Sequence, residues 1–285
     1  MKKWYQLLTA SILAIGILGG CASQEPANDK ANNEGAAGEK TEKVVLNVGA
    51  SSVPHAEILN AAKPLLEEKG IELNIKEFND YILPNKVLEE KELDANYFQH
   101  LPYLQSFNEE HKTHLASAFA VHFEPLGLYP GKQKSLDNIA KGSIIAVPND
   151  PTNEARALHL LQAKGLITLP EGADLTITPK DIVENPNELV IKELDAAFIA
   201  RSLGDVDYAV INGNYALEAG LKATDALALE DKESLAAETF ANIVAVREGD
   251  ETKEPILALK DALNSPEVKK FIEEKYQGSV IAVFE

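Results

Sequence analysis

A chain of 285 residues with 27 basic and 45 acidic side chains carries a formal charge of −18. Such an anionic surface repels nucleic acid and acidic lipid headgroups, so nucleic acid is not an expected partner and membrane attachment needs a device other than charge. The single cysteine excludes an internal disulfide.

In chain order, Lys2 and Lys3 precede a mostly apolar stretch over residues 4–18, too short to span a membrane comfortably. Leu18-Gly19-Gly20-Cys21 then sets small residues directly before the only cysteine. That pattern resembles the bacterial lipobox, which makes residues 1–20 an expected lipoprotein signal peptide cut before Cys21. A lipid on Cys21, palmitate or a similar acyl chain, would anchor the chain at the extracytoplasmic face of the cell membrane. Each buried methylene contributes about 0.8 kcal/mol to such an anchor. Residues 22–43 hold almost nothing large and apolar, so with Cys21 they form an expected lipidated, flexible tether over 21–43.

From Val44 the periodicities predict structure. Val44–Ala50 is rich in β-formers, and Pro54 and His55 open a helical pattern with Ile58, Leu59, Ala62, Leu65 and Leu66 on one face. Ile71–Phe78 alternates as a strand, Asn85–Leu93 is a short helix, and residues 94–100 run as a strand into a helix at Leu101–Glu110. This β-α-β-α-β-α order predicts a mostly parallel sheet covered by helices. Leu115–Leu128 is a long extended segment containing Pro125 and Gly127, suited to leaving one lobe for another. Ser143–Pro148, Leu189–Leu194 and Asp207–Ile211 read as strands, with helices at Pro151–Lys164 and Ala196–Leu203. Phe240–Val246 is a late strand returning to the first lobe, and Pro255–Tyr276 is two helices broken at Ser265-Pro266. The expected architecture is α/β with two crossover segments, lobe 1 from 44–122 plus 243–285 and lobe 2 from 123–242.

Ligands of open α/β sheets sit beyond the carboxyl ends of strands, and the residues that stand out follow strands. Tyr97, Phe98, His100 and Tyr103 fall within seven positions of a chain that is 6% aromatic. They suit a pocket for a small apolar side chain, while composition alone favours a strand end that packs its rings into the core. Only three arginines occur, Arg156, Arg201 and Arg247. Arg156 lies early in a helix after a strand, where its fork would join the positive helix end in holding a carboxylate, or would pair along the helix with Thr152 or a nearby acid. Asn212 ends a strand and Asn242 lies in an apolar one, where an amide needs partners, from a ligand or from a turn. His111 and His114 sit among Glu109, Glu110 and Lys112 with no supporting cysteine, so no metal site is expected. Neither a Gly-rich phosphate loop nor a Gly-x-Ser-x-Gly elbow is present, and no cofactor is expected.

Six segments occur together and in order: Val53-Pro-His-Ala-Glu-Ile-Leu59, Asp94-Ala-Asn-Tyr-Phe-Gln-His-Leu-Pro-Tyr103, Glu124-Pro-Leu-Gly-Leu-Tyr129, Pro148-Asn-Asp-Pro-Thr-Asn-Glu-Ala-Arg156, Ile211-Asn-Gly-Asn-Tyr-Ala216 and Ala241-Asn-Ile-Val-Ala-Val246. In these the chain resembles the methionine-binding lipoproteins (the NlpA/MetQ type) of bacterial ABC importers, across essentially all of 44–285. The resemblance implies a two-lobed type II periplasmic-binding-protein-like fold with methionine in the cleft. It implies that Arg156 clamps the α-carboxylate and that Asn212 and Asn242 bind the head group. Tyr81, Phe98, His100 and Tyr103 would surround the thioether, with His122 a weaker match to the same pocket. Sulfur against ring edges is favourable by roughly 0.3–1.5 kcal/mol. Tyr97 stands where the family often has Phe. Implied partners are methionine or a close derivative (D-methionine and Gly-Met occur in the family), an ABC permease and its ATPase. No bond in the ligand would be broken. The rival readings are an α/β hydrolase or transferase with His100 or His122 as base, which lacks a nucleophile, and a surface adhesin.

Overall fold

The computed structural model describes residues 43–231 and 235–284. The expected signal peptide, Cys21 and the tether up to residue 42 lie outside the described residues. Among the described residues, no helix is long and apolar enough to cross a membrane.

The first sheet begins with β1 (Val44–Ser51). A π-type turn at Ser52–Ala56 follows, leading into α1 (Glu57–Glu68), so the regular helix starts later than Pro54 and His55 predict. Then come β2 (Ile71–Phe78), α2 (Leu83–Glu89), β3 (Ala95–His100), α3 (Leu101–His111) and β4 (Leu115–Phe123). Helix α2 stops short of the predicted Leu93 because Lys91 takes a left-handed turn at φ 67°. Arg247 fixes that turn by donating from Nη1 to the carbonyls of Leu88 at 2.9 Å and Leu93 at 2.5 Å.

The long extended segment is two strands. β4 ends at Phe123, and β5 (Gly127–Pro130) belongs to the second sheet. Pro125 lies between them, with no N–H to continue a ladder. The second sheet adds β6 (Ile144–Pro148), α4 (Pro151–Ala163), β7 (Val190–Leu194), α5 (Ala196–Ile199), β8 (Tyr208–Ile211), α6 (Gly213–Glu218) and β9 (Ala228–Leu229). The helix predicted over Ala196–Leu203 tightens to a 3-10 turn after Ile199. Helix α7 (Leu235–Thr239) precedes β10 (Asn242–Arg247), which returns to the first sheet, followed by α8 (Glu254–Leu263), α9 (Pro266–Tyr276) and β11 (Ile281–Ala282).

The sheets are mixed rather than mostly parallel. Sheet one runs β11-β4-β10-β3-β1-β2 and sheet two β7-β6-β8-β5-β9. β1 pairs in parallel with β2 and β3, but β10 is antiparallel to β3 and β4 between which it lies. The reason is topological: a chain that leaves along one strand and comes back along its neighbour must run the two in opposite directions. Each sheet alternates its side chains between two cores, as period-two geometry requires. Val244 and Val246 join the α1, α8 and α9 side, while Ile243 and Ala245 meet Leu88 and Leu104 on the other. In sheet two, Ile145, Val147, Tyr208 and Val210 face α4, and Ala146, Ala209 and Ile211 face Ile199 and Tyr215.

Candidate functional site

The carboxyl ends of the parallel strands and the start of β10 converge. Register places Asn242, the first residue of β10, opposite His100 at the end of β3 and opposite His122 near the end of β4. From sheet two, β6 leads to Asn153 and Arg156 on α4, and β8 leads to Asn212 and Asn214 around the start of α6. Together they line a cavity with about 340 Å³ of atom-free space, open solvent included, to which both sheets contribute walls.

One wall is aromatic. Tyr81 stacks near Phe98, Tyr103 and Tyr215 with ring centroids 5.7, 5.6 and 5.0 Å away. Phe98 and Tyr103 meet edge to face at 6.1 Å. Offset and edge-on rings of this kind make a shaped apolar surface. Hydrogen bonds fix its polar tips: Tyr103 donates to the Tyr81 carbonyl at 3.0 Å, and Tyr81 donates to Asn214 Oδ1. Burial pushes both phenols up, so they remain protonated donors.

The opposite wall is polar. His100 caps α3, its Nδ1 accepting from the Tyr103 N–H at 3.1 Å, and its Nε2 donates to Asn153 Oδ1 at 3.2 Å. Burial and the nearby charge of Arg156 lower its pKa to about 3, so the ring is a neutral hydrogen-bonding group. The same Asn153 Oδ1 accepts from Asn212 Nδ2 at 2.9 Å, while Asn153 Nδ2 donates to both oxygens of Asp150. Asn153 thus ties the end of β3 to the end of β8. The buried Asn212 Oδ1 and Asn214 Nδ2 find no partner among the described residues. Buried amide atoms left open at a cavity wall are chemically able to bond a polar group that enters it.

Arg156 is 4% exposed and lies over the Phe240 ring, 4.3 Å from its centroid. Nε donates to Glu230 Oε1 at 2.7 Å, and Nη2 donates to Glu230 Oε2 at 2.5 Å and to the Glu124 carbonyl at 2.9 Å. Nη1 has no hydrogen bond among the described residues. The helix end that sequence reasoning joined to this arginine is not open to an anion: Asp150 caps α4 by accepting from the Asn153 N–H at 3.0 Å.

Behind the cavity floor lies a second buried cluster. His122 Nε2 is 2.7 Å from Glu124 Oε1, its Nδ1 bonds the Tyr97 hydroxyl, and His55 Nε2 donates to Asn242 Oδ1 at 2.9 Å. Two imidazoles and a carboxylate bring one atom each within 4.8 Å, but those atoms are engaged with one another and with Asn242, so the cluster reads as a hydrogen-bond network. Burial lowers His55 to about 4 and His122 to about 3, and raises the Glu124 carboxyl to about 7 against the lowering influence of His55 and Arg156.

Of the residues expected at the site, Tyr81, Phe98, His100, Tyr103, Arg156, Asn212 and Asn242 line the cavity. His122 does not. It is fully buried one layer back, because its position on β4 turns it toward Tyr97 and Glu124. Tyr97, which is not in the set of pocket residues that the resemblance implies, is likewise fully buried in the core. Glu124, Asn153 and Asn214 line the cavity but were not singled out. All three lie inside the motif segments, and Asn153 and Asn214 share with Asn212 the signal of an amide just after a strand.

Residues 46–284 match the NlpA lipoprotein family. Over 291 aligned positions the chain is 40% identical to the methionine-binding lipoprotein MetQ of Bacillus subtilis strain 168, covering 100% of each chain. A solved lipoprotein from Ruminococcus gnavus ATCC 29149 is 56% identical with a TM-score of 0.83, over 85% of this chain and 99% of that one. A nutrient-binding protein from Burkholderia cenocepacia, solved bound to methionine, is 44% identical with a TM-score of 0.80, over 84% of this chain and 100% of that one. The fold shared with these structures is the two-lobed α/β architecture of periplasmic substrate-binding proteins. With a family match spanning nearly all the described residues, the chain belongs to the NlpA lipoproteins.

Proposed function

We propose that this chain is an extracytoplasmic, lipid-anchored substrate-binding protein that captures methionine between its lobes and delivers it to an ABC importer. The observation that carries the reading is the division of one buried cavity. The rings of Tyr81, Phe98 and Tyr103 form an apolar half, and the other half holds Arg156 and the open amide atoms of Asn212 and Asn214. An amino acid with an apolar, sulfur-bearing side chain meets both halves at once: its zwitterion on the polar wall, its thioether against ring edges.

In this reading lobe 1 comprises 44–122 and 243–285 and lobe 2 comprises 123–242, and they close about the crossovers at Glu124–Leu126 and before β10. Arg156, Asn212 and Asn242 hold the head group, and Tyr81, Phe98, His100 and Tyr103 surround the side chain. The protein changes no bond in its ligand and acts by positioning alone. A lipid on Cys21 holds it beside a membrane permease driven by an ATPase.

The test is to denature the purified protein and identify any released small molecule by mass spectrometry, with calorimetric titration of L-methionine, D-methionine and Gly-Met into the stripped protein. Methionine, released or rebound stoichiometrically, is the expected result. Protein that binds none of the three overturns the reading.

A further inference from the structure

Among the described residues, Arg156 is the only cationic side chain and Glu124 the only carboxylate lining the cavity, and the three neighbouring histidines are held neutral by burial. Glu124 stands at the first crossover, 5% exposed, with Oε1 bonded to His122. Its Oε2 has no hydrogen bond among the described residues. Gly213, itself a lining residue, keeps that oxygen uncovered: a Cβ there would come within 2.6 Å of Oε2. A buried carboxyl with one oxygen engaged and the other open to a ligand cavity is a site for a cation.

We propose that Glu124 is the counter-charge for the ligand's ammonium group and that it gives up a proton as the ligand binds. This rests on the reading of the cavity as an amino-acid site. The exchange balances simply. The neutral carboxyl loses its proton to the bulk buffer, and the carboxylate that remains pairs with the ammonium, while Arg156 Nη1 and Asn214 Nδ2 face the ligand's carboxylate.

The surroundings favour a carboxyl that is neutral before binding and charged after it. The groups facing Glu124 are His55 on the turn before α1, Tyr81 before α2, Tyr97 on β3, His122 on β4, Arg156 on α4 and Tyr276 on α9. Only Arg156 carries a full positive charge, and it is already paired with Glu230. Desolvation therefore wins and holds the carboxyl protonated toward neutral pH. An ammonium placed at Oε2 adds the missing opposite charge, which reverses that balance.

The test is calorimetric titration of methionine into the full chain in buffers of different ionisation enthalpy, at pH about 6 and about 8. The expected result is release of close to one proton per ligand at the lower pH and little at the higher. In Glu124→Gln the release disappears and affinity falls at least tenfold. Infrared difference spectra of the unmodified protein give a second readout, in which ligand addition removes one protonated-carboxyl band. Tight methionine binding with buffer-independent heats and no change in that band overturns the role of Glu124 while leaving the methionine reading intact. Failure of the unmodified protein to bind methionine overturns both.

Discussion

Arg156 and Glu230 are joined edge to edge, Nε to Oε1 at 2.7 Å and Nη2 to Oε2 at 2.5 Å, inside a wall where both side chains are nearly buried. Glu230 Oε2 also accepts from the Leu126 N–H at 2.8 Å, so one carboxylate fixes both the arginine and the first crossover. The guanidinium arrives at the cavity already oriented, with one nitrogen to offer. Replacing it removes a charge from a ligand and leaves Glu230 unpaired. Arg156→Ala is expected to cost ~2–5 kcal/mol of methionine binding, and Arg156→Lys should not restore it, since an ammonium cannot hold this fork. Calorimetry decides; near-normal affinity in either variant removes Arg156 from the site.

Asn153 makes no charge and yet joins three elements, through His100, Asn212 and Asp150. Asn153→Ala leaves buried polar groups without partners, a loss of about 1–3 kcal/mol. Because it links the two lobes, the effect should appear mainly as faster ligand dissociation, measured by stopped-flow, with a smaller shift in melting temperature. Equal losses in the empty and loaded protein would show a purely structural role.

Tyr81→Phe keeps every ring contact and deletes the hydroxyl that donates to Asn214. The expected cost is about 1 kcal/mol in methionine affinity, whereas Tyr81→Ala, which also removes the ring face, should cost clearly more. If both variants bind equally, the aromatic wall is packing rather than pocket.

Three buried histidines set an acid limit on stability. Their folded values lie near 4 for His55 and 3 for His100 and His122, below the ordinary 6.5. As pH falls below 6.5 the unfolded chain takes up protons first, so the stabilisation present above that value is lost on acidification. Glu124 runs the other way: raised from 4.5 to about 7, it stabilises at low pH and loses that contribution as pH rises through 7. Glu154, raised by burial and by neighbouring Glu193 to about 8, adds to Glu124, so between about 4.5 and 6.5 three histidine protons oppose two carboxyl protons, and each is worth about 1.4 kcal/mol per pH unit. The melting temperature should therefore drop between pH 6.5 and 4.5. A flat profile would mean that these rings charge in place.

Gly213→Ala tests the closeness of the crossover to α6. The added methyl carbon would come within 2.7 Å of Glu124 Cβ as well as crowding its carboxylate. Overpacking of this kind costs about 1–3 kcal/mol. The expected outcome is a folded protein by circular dichroism with weakened methionine binding.

Much of this was legible because local chemistry marks it. Continuous apolar runs in Ile144–Pro148 and Tyr208–Ile211 and the helix break at Ser265-Pro266 place strands and helices without reference to the rest of the chain. The short elements β9, β11 and α6 left no comparable pattern, since two to six residues cannot show a period. Asn153 and Asn214 were hidden for another reason: an amide after a strand looks the same whether it ends a turn or faces a ligand.

The sequence by itself determined the α/β class, the two passages of the chain between the sheets and the set of motif segments from which the cavity is built. It did so because burial periodicity and turn chemistry are local. Tertiary structure alone decided which oxygen or nitrogen faces the cavity. The antiparallel insertion of β10 puts Asn242 between His100 and His122, and it is long-range contacts that turn Arg156 onto Glu230 and send His122 behind the wall. Those partners are 74 positions apart in one pair and 2 in the other, so distance along the chain carries no information about them. Packing of the two sheets against one crossover is what assigns each side chain its neighbour.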